Sequence, residues 1–339
     1  MTDAQGSTVL VTGGTGYLAR WVIAGLVQRG HQVRTTVRRL ESADSVRAAI
    51  GERVGADAAA SVEVVAADLL ADDGWDAAVE GVGHVIHTAS PLGFTPGADL
   101  VRTAREGVRR VLGAASRAQV ERVVFTSSGV AAVPDDPSEP ANETVWAEPS
   151  GVATRAYRDS KILAERDAWD LAAETGLELA TVLPTFMQGP SLGTPSREGS
   201  IEIIRRLLAG GMPAVPNLGW DVVDVRDIAE LHILAMTTPA AGGQRLLGSG
   251  SFLWWRDIAR ILRDALGDDA RKVPTRTMPD AVVKLLGRVN PQMAMMRPDL
   301  SRKTTVDGSK ANTLLGWHAR PAEQTVIDTA TALIARNAI

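Results

Sequence analysis

The segment STVLVTGGTGYLA, residues 7–19, carries the clearest structural signal in this chain. Ser7–Thr12 is a continuous apolar and β-branched run, which predicts a buried strand, and it leads directly into glycines. Gly13, Gly16 and Ala19 then recur at three-residue intervals. Small residues allow a tight turn and let backbone N–H groups approach a diphosphate, which also meets the positive end of the following helix. The segment therefore predicts a dinucleotide-binding strand–turn–helix unit, and a purely structural turn is the alternative.

Strands and helices alternate outward from this unit. The later β-branched runs are HQVRTTV, SVEVVAADL, HVIHTAS, RVVFTSS and LELATVLP, and helical stretches separate them. Such alternation requires parallel strand pairs with helices on both faces of the sheet. We therefore expect an α/β fold, a Rossmann-type doubly wound parallel sheet that binds ligands beyond the C-terminal ends of its strands.

Composition restricts the class of protein further. The chain has 339 residues and a net charge of −4, which argues against a nucleic-acid-binding protein. It has no cysteine, and its five histidines lack ligand spacing, so we expect no metal site. The N-terminus lacks a basic lead, and no uninterrupted apolar stretch is long enough to span a membrane. We expect a cytoplasmic protein that acts on a small molecule, with no nucleic-acid or membrane partner.

The tip of the second strand indicates which dinucleotide is bound. It carries Arg38 and Arg39, where an acidic residue would bind the ribose diol of NAD. A guanidinium can bind a 2′-phosphate through two hydrogen bonds, so the sequence favours NADP(H), with Arg38 as first choice and Arg39 as second. A solvated arginine pair is the alternative. Asp68, after the third strand, is a candidate partner of the adenine amino group, or else a cap or loop carboxylate.

The second half of the chain has a looser pattern, which predicts a smaller, mostly helical C-terminal substrate lobe. We expect an NADP-binding Rossmann domain over residues 1–184, rejoined by about 221–237, where a strand runs into a helix. Residues 185–220 and 238–339 are then expected to form the substrate-binding lobe, with RLLGSG as a further short strand.

Tyr157 and Lys161 stand four residues apart in AYRDSK, at the start of a helix expected to reach about Thr175. The chain has only two tyrosines and five lysines, so this spacing is unusual. Residues at this spacing share a helix face, and an ammonium together with a cationic nicotinamide would lower the phenol pKa from about 10. Tyr157 would then be a usable general acid or base, and Lys161 would also reach the hydroxyl groups of the cofactor ribose.

A pair of serines follows the fifth strand in FTSSG, residues 125–129. This is the edge of the sheet at which a ligand cleft is expected. A hydroxyl group from Ser127 or Ser128 could bind the substrate oxygen beside the phenol. A loop-capping pair is the alternative.

These motifs resemble the extended short-chain dehydrogenase/reductases, and most of all the dihydroflavonol reductase, aldehyde reductase and methylglyoxal reductase branch. TGGTGYLA, ADL, HTASP, FTSS, YRDSK, LPTFMQGP and DVRDIA occur in the family's order. The resemblance implies that Ser128, Tyr157 and Lys161 are catalytic. It also implies a cofactor site formed by Gly13, Thr15, Gly16, Tyr17, Leu18, Arg38, Asp68, Leu69, Thr88, Ala89, Ser90, Tyr157, Lys161, Pro184 and Thr185.

Other parts of the chain agree with this family or depart from it. LLGW-x-x-R, residues 314–320, resembles its C-terminal signature. Ala19 replaces the third motif glycine, a change that this branch often tolerates. The helix before the fifth strand reads REGVRRVL where the family more often has an asparagine, which puts in question a proton relay through that side chain.

The leading expectation is an NADPH-dependent carbonyl reductase that reduces an aldehyde or ketone, with Tyr157 as general acid. A bulky apolar substrate would contact Phe94, Trp146, Phe186, Met187 and Trp220. The second interpretation is a nucleotide-sugar epimerase or dehydratase with bound NAD, for which Arg197, Arg205 and Arg206 could bind a diphosphate. The third is a non-catalytic dinucleotide-binding redox sensor. We expect a monomer or a homodimer.

Overall fold

Strands and helices alternate from the first described residue onward in the computed structural model, which describes residues 8–91, 99–136, 138–195 and 199–339. The first elements in chain order are β1 (Thr8–Thr12), α1 (Tyr17–Gln28), β2 (Val33–Val37), α2 (Ala43–Val54), α3 (Ala56–Ala60), β3 (Glu63–Ala66), α4 (Trp75–Val79), β4 (Val82–His87), α5 (Leu100–Arg117), β5 (Arg122–Thr126), α6 (Ala156–Thr175) and β6 (Leu179–Pro184). They are followed by β7 (Phe186–Gln188), α7 (Ile201–Ala209), β8 (Val215–Pro216), β9 (Gly219–Asp224), α8 (Val225–Thr237), β10 (Arg245–Gly248), β11 (Ser251–Trp254), α9 (Trp255–Leu266), β12 (Thr277–Met278), α10 (Asp280–Leu286), α11 (Pro291–Met296), α12 (Ser309–Leu315) and α13 (Ala322–Ala335).

Seven strands form one parallel sheet in the order β10-β6-β5-β4-β1-β2-β3. The chain order reverses between β1 and β4, so the loops after these two strands diverge and leave a cleft. This arrangement confirms the doubly wound fold predicted from the alternation of strands and helices.

Helices cover both faces of the sheet, and this explains why the strands read as nearly continuous apolar runs. α1, α2 and α8 contribute to the core on one face, while α4, α5 and α6 contribute to the core on the other. All residues of β5 and β6 are buried. β3 lies at the edge of the sheet and keeps partly exposed residues, which is why it is shorter than its sequence pattern.

The return of the chain to the main sheet differs from the expectation. β9 pairs with β7 and β11 in a separate three-stranded sheet, and only the following helix α8 reaches the main sheet. The strand that joins β6 is β10, which carries the RLLG run. Both β9 and β10 are short and mostly buried, so their apolar patterns alone do not distinguish the two sheets.

The remaining elements form a second core around Trp255. Side chains of α7, α9 and α13 pack there against β9. This core lies beside the C-terminal end of the main sheet, because β7 follows β6 after a single residue. Among the helices of the described residues, none combines the length and the apolar character needed to cross a bilayer.

Hydrogen bonds tie the second core to the first helix of the sheet. Tyr17 donates from its hydroxyl to the carbonyl of Gly189 over 2.8 Å, and the indole of Trp21 donates to the next carbonyl, that of Pro190, over 2.8 Å. The LLGW-x-x-R segment makes a second link, since the backbone N–H and guanidinium of Arg320 bind the carboxylate of Asp227 at the start of α8. These bonds fix the chain that follows β7, and the segment that leads into α13, against the helices of the main sheet.

Candidate active site

The turn between β1 and α1 is shaped by close backbone packing. Gly13 has a φ of +77° and donates its N–H to the hydroxyl of Thr36 over 3.0 Å. Gly14 donates to the Thr36 carbonyl over 2.8 Å, and a Cβ on Gly14 would lie only 2.5 Å from the hydroxyl oxygen of Thr35. No acidic residue occupies the first turn of α1, which begins after Gly16. The turn can therefore accept an anion at the positive end of the helix.

The segment after β4 packs directly against this turn. Thr88 donates from its hydroxyl to the carbonyl of Thr12 over 2.7 Å, and the N–H of Ala89 donates to the Thr12 hydroxyl over 3.0 Å. A Cβ on Gly13 would lie 3.0 Å from that of Ala89. The predicted cofactor residues of β1 and β4, including the half-buried Ser90, thus share one side of the cleft.

The exposed tip of β2 presents two arginine side chains. Arg38 and Arg39 are both exposed, and within the described ranges neither side chain forms a hydrogen bond or ion pair. Thr15 and Gly16 are exposed on the neighbouring turn, while Leu18 is buried beneath them. A guanidinium beside an open helix N-terminus is suited to a second phosphate group.

Asp68 and Leu69 follow β3 and serve the local structure. A carboxylate oxygen of Asp68 accepts the N–H of Leu70 over 2.9 Å, as in a loop-capping carboxylate. The carbonyl of Leu69 accepts a hydrogen bond from Arg110 on α5 over 3.0 Å. The adenine contact predicted for Asp68 would use the oxygen that is not engaged with Leu70.

Two adjacent serines after β5 point to different partners. Ser127 is buried and donates to the carboxylate of Glu165 over 2.7 Å. Ser128 lies against Tyr157, and its hydrogen bond favours the phenolate form. The structure therefore pairs the phenol with Ser128, the serine that the family resemblance implies.

Tyr157 stands near the start of α6 and keeps 37 % of its surface exposed. Burial around the phenol raises the pKa of Tyr157 above its usual value, and the hydrogen bond from Ser128 opposes this effect. In the protein without cofactor, Lys161 does not contribute the lowering of the phenol pKa that the sequence predicts, because its ammonium donates to the carbonyl of Thr126. In the protein alone Tyr157 is therefore protonated at neutral pH, which is the form that a general acid requires.

Lys161 lies one turn further along α6 and is only 4 % exposed. Its ammonium donates to the carbonyl of Thr126 over 3.4 Å at the end of β5. Burial lowers the pKa of Lys161 to about 8, and the negative charge of Glu165 opposes that shift. The lysine is therefore held at the sheet edge with its charge sensitive to its neighbours.

Pro184 and Thr185 reach the same region from β6. The hydroxyl of Thr185 donates to the carboxylate of Asp221 over 3.2 Å, and its N–H donates to the carbonyl of Gly248 over 3.0 Å. A Cβ on Gly129 would lie 3.2 Å from the Thr185 methyl group. The ends of β5 and β6 are thus in close contact beside Ser128.

The family model for the NAD dependent epimerase/dehydratase family matches residues 9–247, more than half of the chain. The chain belongs to this family. Relatives agree with the branch expected from the motifs. Cinnamoyl-CoA reductase 1 of Oryza sativa subsp. japonica is 39 % identical over 267 residues, which is 77 % of this chain and 77 % of that protein. Dihydroflavonol 4-reductase of Dianthus caryophyllus is 30 % identical over 281 residues, covering 80 % of this chain and 76 % of that protein.

A solved structure is similar over nearly the whole chain. Yeast methylglyoxal/isovaleraldehyde reductase complexed with NADPH superposes with a TM-score of 0.80 at 26 % sequence identity, covering 98 % of this chain and 100 % of that one. The epimerase/dehydratase fold of the present chain therefore extends through its C-terminal elements as well as the matched residues.

The aromatic residues proposed for a substrate pocket occupy different places in this member of the epimerase/dehydratase family. Phe186 and Trp220 stack with ring centroids 4.4 Å apart, and Trp220 meets Trp255 at 5.1 Å. Trp146 is 41 % exposed and stacks instead on the guanidinium of Arg245, 3.9 Å from the ring centroid. Met187 packs against the core of the main sheet. Phe94, like Arg197, lies outside the described residues.

Two histidines near the site are buried and neutral. The pKa of His87 is lowered to about 3 by burial and by the charge of Lys161, and its ring binds the hydroxyl of Thr12 over 2.7 Å. The pKa of His232 is lowered to about 4 by burial. Within the part of the chain that the structure describes, no three histidine or acidic side chains converge as metal ligands.

Sequence reasoning missed Glu165 and Arg245, which form a buried ion pair beside the lysine. Glu165 lies four residues after Lys161 and therefore on the same helix face, a spacing that could have indicated it. No sequence spacing indicated Arg245, because the residues near a strand residue are known only after the order of the strands in the sheet is known. Asp221 was missed for the same reason, since β9 was expected in the main sheet.

Proposed function

We propose that this protein is an NADPH-dependent carbonyl reductase that converts an aldehyde or ketone, bulky or apolar, into an alcohol. The observation that carries the proposal is the placement of Ser128, Tyr157 and Lys161. All three lie where β5 ends and α6 begins, at the sheet edge that also holds the glycine turn.

The residues around the cleft fit a phosphorylated dinucleotide. The turn at Gly13–Gly16 offers backbone N–H groups and a helix start without acidic residues. Arg38 offers an exposed guanidinium, unpaired among the described residues, for a 2′-phosphate. Lys161 lies close enough to the end of β5 to hold ribose hydroxyls. The yeast reductase of similar fold was crystallised with NADPH, which supports the same cofactor here.

The reaction needs a proton donor at the carbonyl oxygen. When bound, NADPH supplies the hydride that reduces the carbonyl carbon. Tyr157 donates the phenolic proton to the substrate oxygen, and Ser128 donates a hydrogen bond to that oxygen and so stabilises its developing negative charge. The positive charge of Lys161 favours the resulting phenolate, which bulk water then reprotonates.

The aromatic pair Phe186 and Trp220 supports an apolar substrate. Phe186 directly follows Thr185, whose side chain lies beside Gly129, and Trp220 of β9 stacks on Phe186. The cinnamoyl-CoA and dihydroflavonol relatives are named for reductions of compounds that carry an aromatic ring. We therefore propose an aryl or similarly bulky carbonyl compound as the substrate class.

A nucleotide-sugar epimerase or dehydratase is the second candidate, because the family that the chain belongs to is named for these activities. It would retain NAD tightly, and the tip of β2 carries Arg38 in place of an acid for the NAD ribose. A non-catalytic redox sensor would have no need for the Ser128–Tyr157 contact.

The test is a substrate panel of aryl ketones, dicarbonyls and aldehydes, followed by the loss of NADPH absorbance. The proposal expects turnover of at least one bulky carbonyl compound with NADPH, and slower turnover with NADH. NAD that stays with the purified protein through dialysis, together with no turnover on the panel, would favour the epimerase or dehydratase. Dinucleotide binding without either property would favour the sensor.

A further inference from the structure

A buried carboxylate lies one helical turn beyond the lysine of the candidate site. Glu165 is fully buried and accepts hydrogen bonds from Ser127 over 2.7 Å and from Thr181 over 2.9 Å. The guanidinium of Arg245 binds both of its oxygens, over 2.8 and 3.2 Å. These donors satisfy both oxygens of the buried carboxylate, and the guanidinium of Arg245 forms an ion pair with it.

Arg245 is itself fixed on every side. Besides Glu165, its guanidinium donates to the carbonyls of Glu143 over 2.8 Å and of Val145 over 2.6 Å, in the loop that precedes α6. The ring of Trp146 covers its face. The cation cannot swing away, so its charge stays beside Glu165.

Lys161 lies one helical turn before Glu165 on α6, and the negative charge of Glu165 acts on its ammonium. Glu165 on α6 and His87 on β4 interact electrostatically with its ammonium, and Tyr157 stands one turn before it on α6. His232 on α8 binds the hydroxyl of Thr126, the residue whose carbonyl accepts from Lys161. Arg245 on β10 pairs with Glu165 and binds the carbonyl of Glu143 in the loop before α6. Both histidines are neutral, because burial lowers the pKa of His87 to about 3 and that of His232 to about 4. The carboxylate of Glu143 is engaged by the N–H of Leu247 over 3.0 Å. The charge of Lys161 is therefore balanced mainly by Glu165, and Glu165 mainly by Arg245.

We propose that Glu165 and Arg245 act together as positioning residues that set the charge state of Lys161. The inference rests on the carbonyl-reductase function proposed above, in which the charged lysine supports the phenolate of Tyr157. Neither residue needs to touch the substrate. Their effect is electrostatic, so loss of the negative charge and loss of the positive charge should shift the pKa of Lys161 in opposite directions. A purely structural role predicts no such opposition.

Substitutions of the two residues should shift the pKa of Lys161 in opposite directions. Glu165→Gln removes the negative charge that opposes the effect of burial on Lys161, so the pKa of the lysine should fall by about one pH unit or more. Arg245→Gln leaves the carboxylate uncompensated, so the pKa of the lysine should rise by about one pH unit. Asp167→Asn is a matched control, because Asp167 lies on the same helix but pairs with Arg105 of α5 over 2.7 Å.

The measurement is an NMR titration of the protein labelled with ¹³C-lysine. The chain has only five lysines, and Lys161 is the only buried one, so comparison with Lys161→Arg assigns its signal. We expect a midpoint near 8 in the unsubstituted protein, a lower one in Glu165→Gln, a higher one in Arg245→Gln and no change in Asp167→Asn. Shifts of the same sign in both variants, or no shift in either, would overturn the proposal.

Loss of one partner of a buried ion pair can prevent folding, so the design includes a conservative variant. Either glutamine variant that folds is sufficient, because the predicted sign differs between them. Arg245→Lys keeps the positive charge and should leave the Lys161 midpoint unchanged, and a shift of a full pH unit there would contradict a charge-based role.

The pH dependence of turnover separates this inference from the proposed function. The alkaline limb of kcat/KM should move to lower pH in Glu165→Gln and to higher pH in Arg245→Gln. If the Lys161 midpoint shifts in opposite directions in the two variants but the protein reduces no carbonyl compound, the proposed function is wrong and the role of the ion pair stands. If the protein reduces carbonyl compounds but the Lys161 midpoint is unchanged in both variants, the role of the ion pair is wrong and the proposed function stands.

Discussion

Ser127 and Ser128 are neighbours in the sequence but have different hydrogen-bond partners in the structure. Ser127 is directed into the protein and completes the hydrogen bonds of Glu165. Ser128 is directed at Tyr157. Successive residues of an extended segment point to opposite sides, so only one serine of the FTSS motif can meet the phenol.

This difference predicts opposite phenotypes for two alanine variants. Ser128→Ala should lower kcat about 10²-fold, because a donor to the developing negative charge is lost, while the free energy of unfolding stays nearly constant. Ser127→Ala should lower the free energy of unfolding by about 1–3 kcal/mol, because a buried carboxylate oxygen loses its donor, and should cost less activity. Steady-state kinetics and urea unfolding of both variants test this, and a larger loss of kcat in Ser127→Ala would refute the assignment.

Arg38 gives a second prediction for a single residue. Arg38→Ala should raise the Kd for NADPH about tenfold or more and leave that for NADH nearly unchanged, because only NADPH carries the 2′-phosphate. Arg39→Ala is the matched control at the next position and should have a smaller effect. Fluorescence titration with both cofactors measures this, and an equal preference for NADPH in the unsubstituted protein and Arg38→Ala would count against the contact.

At the level of elements, the β1–α1 unit depends on how closely its turn approaches β2. Thr35 lies so near Gly14 that a single added carbon requires either the turn or the Thr35 side chain, whose hydroxyl binds the carbonyl of Val11, to shift. The same turn presents the N–H groups proposed for the diphosphate. Stability and cofactor binding are therefore coupled in this unit.

The coupling predicts that Gly14→Ala loses both properties together. We expect the free energy of unfolding to fall by about 1–3 kcal/mol through overpacking, and NADPH affinity to fall as the turn shifts. Gly113→Ala on α5 is the control, since its Cβ would lie 3.5 Å from the nearest atom, and removal of a helical glycine should stabilise the protein slightly. NADPH binding and Tm report both effects, and unchanged affinity in Gly14→Ala would contradict the proposed role of the turn.

The sequence predicted the elements that local pattern specifies. The strand before Gly13 and the helix after Ala156 lie within a few residues of their expected bounds, because apolar periodicity and flanking glycines act over short distances. The prediction that the strand at β9 rejoins the main sheet is wrong, because β10 pairs with β6 there while β9 pairs with β7, and local pattern does not determine these pairings. Arg245 was missed together with the strand that carries it.

For the whole molecule, several buried polar groups surround the site, and the two histidines among them make stability depend on pH. The Nε2 of His232 accepts a hydrogen bond from the hydroxyl of Thr126, and its Nδ1–H donates to the carbonyl of Ile228 over 2.8 Å. This fixes the neutral tautomer. Burial, which disfavours the charged imidazolium, is the main reason that the ring stays neutral.

The free energy of unfolding should therefore fall as the pH drops from about 6.5 to 5. In this window the unfolded chain protonates His87 and His232 while the folded protein does not, because burial lowers the pKa of His87 to about 3 and that of His232 to about 4. Each histidine should lower the free energy of unfolding by about 1.4 kcal/mol for each pH unit of this decrease. Urea unfolding at several pH values measures the slope, His232→Gln should reduce it, and a flat profile would contradict the neutral buried state.

The central claim for the molecule as a whole is that Tyr157 gives its proton to the substrate oxygen. The most direct measurement compares single-turnover NADPH oxidation in Tyr157→Phe and Tyr17→Phe, with the best carbonyl compound of the panel. Tyr17 is the only other tyrosine, and its hydroxyl binds the carbonyl of Gly189. We predict that Tyr157→Phe loses about 10²–10⁴-fold in rate while NADPH still binds, and that Tyr17→Phe, which lacks only the hydroxyl bound to Gly189, loses stability and far less rate. Turnover at the unsubstituted rate in Tyr157→Phe would contradict the mechanism.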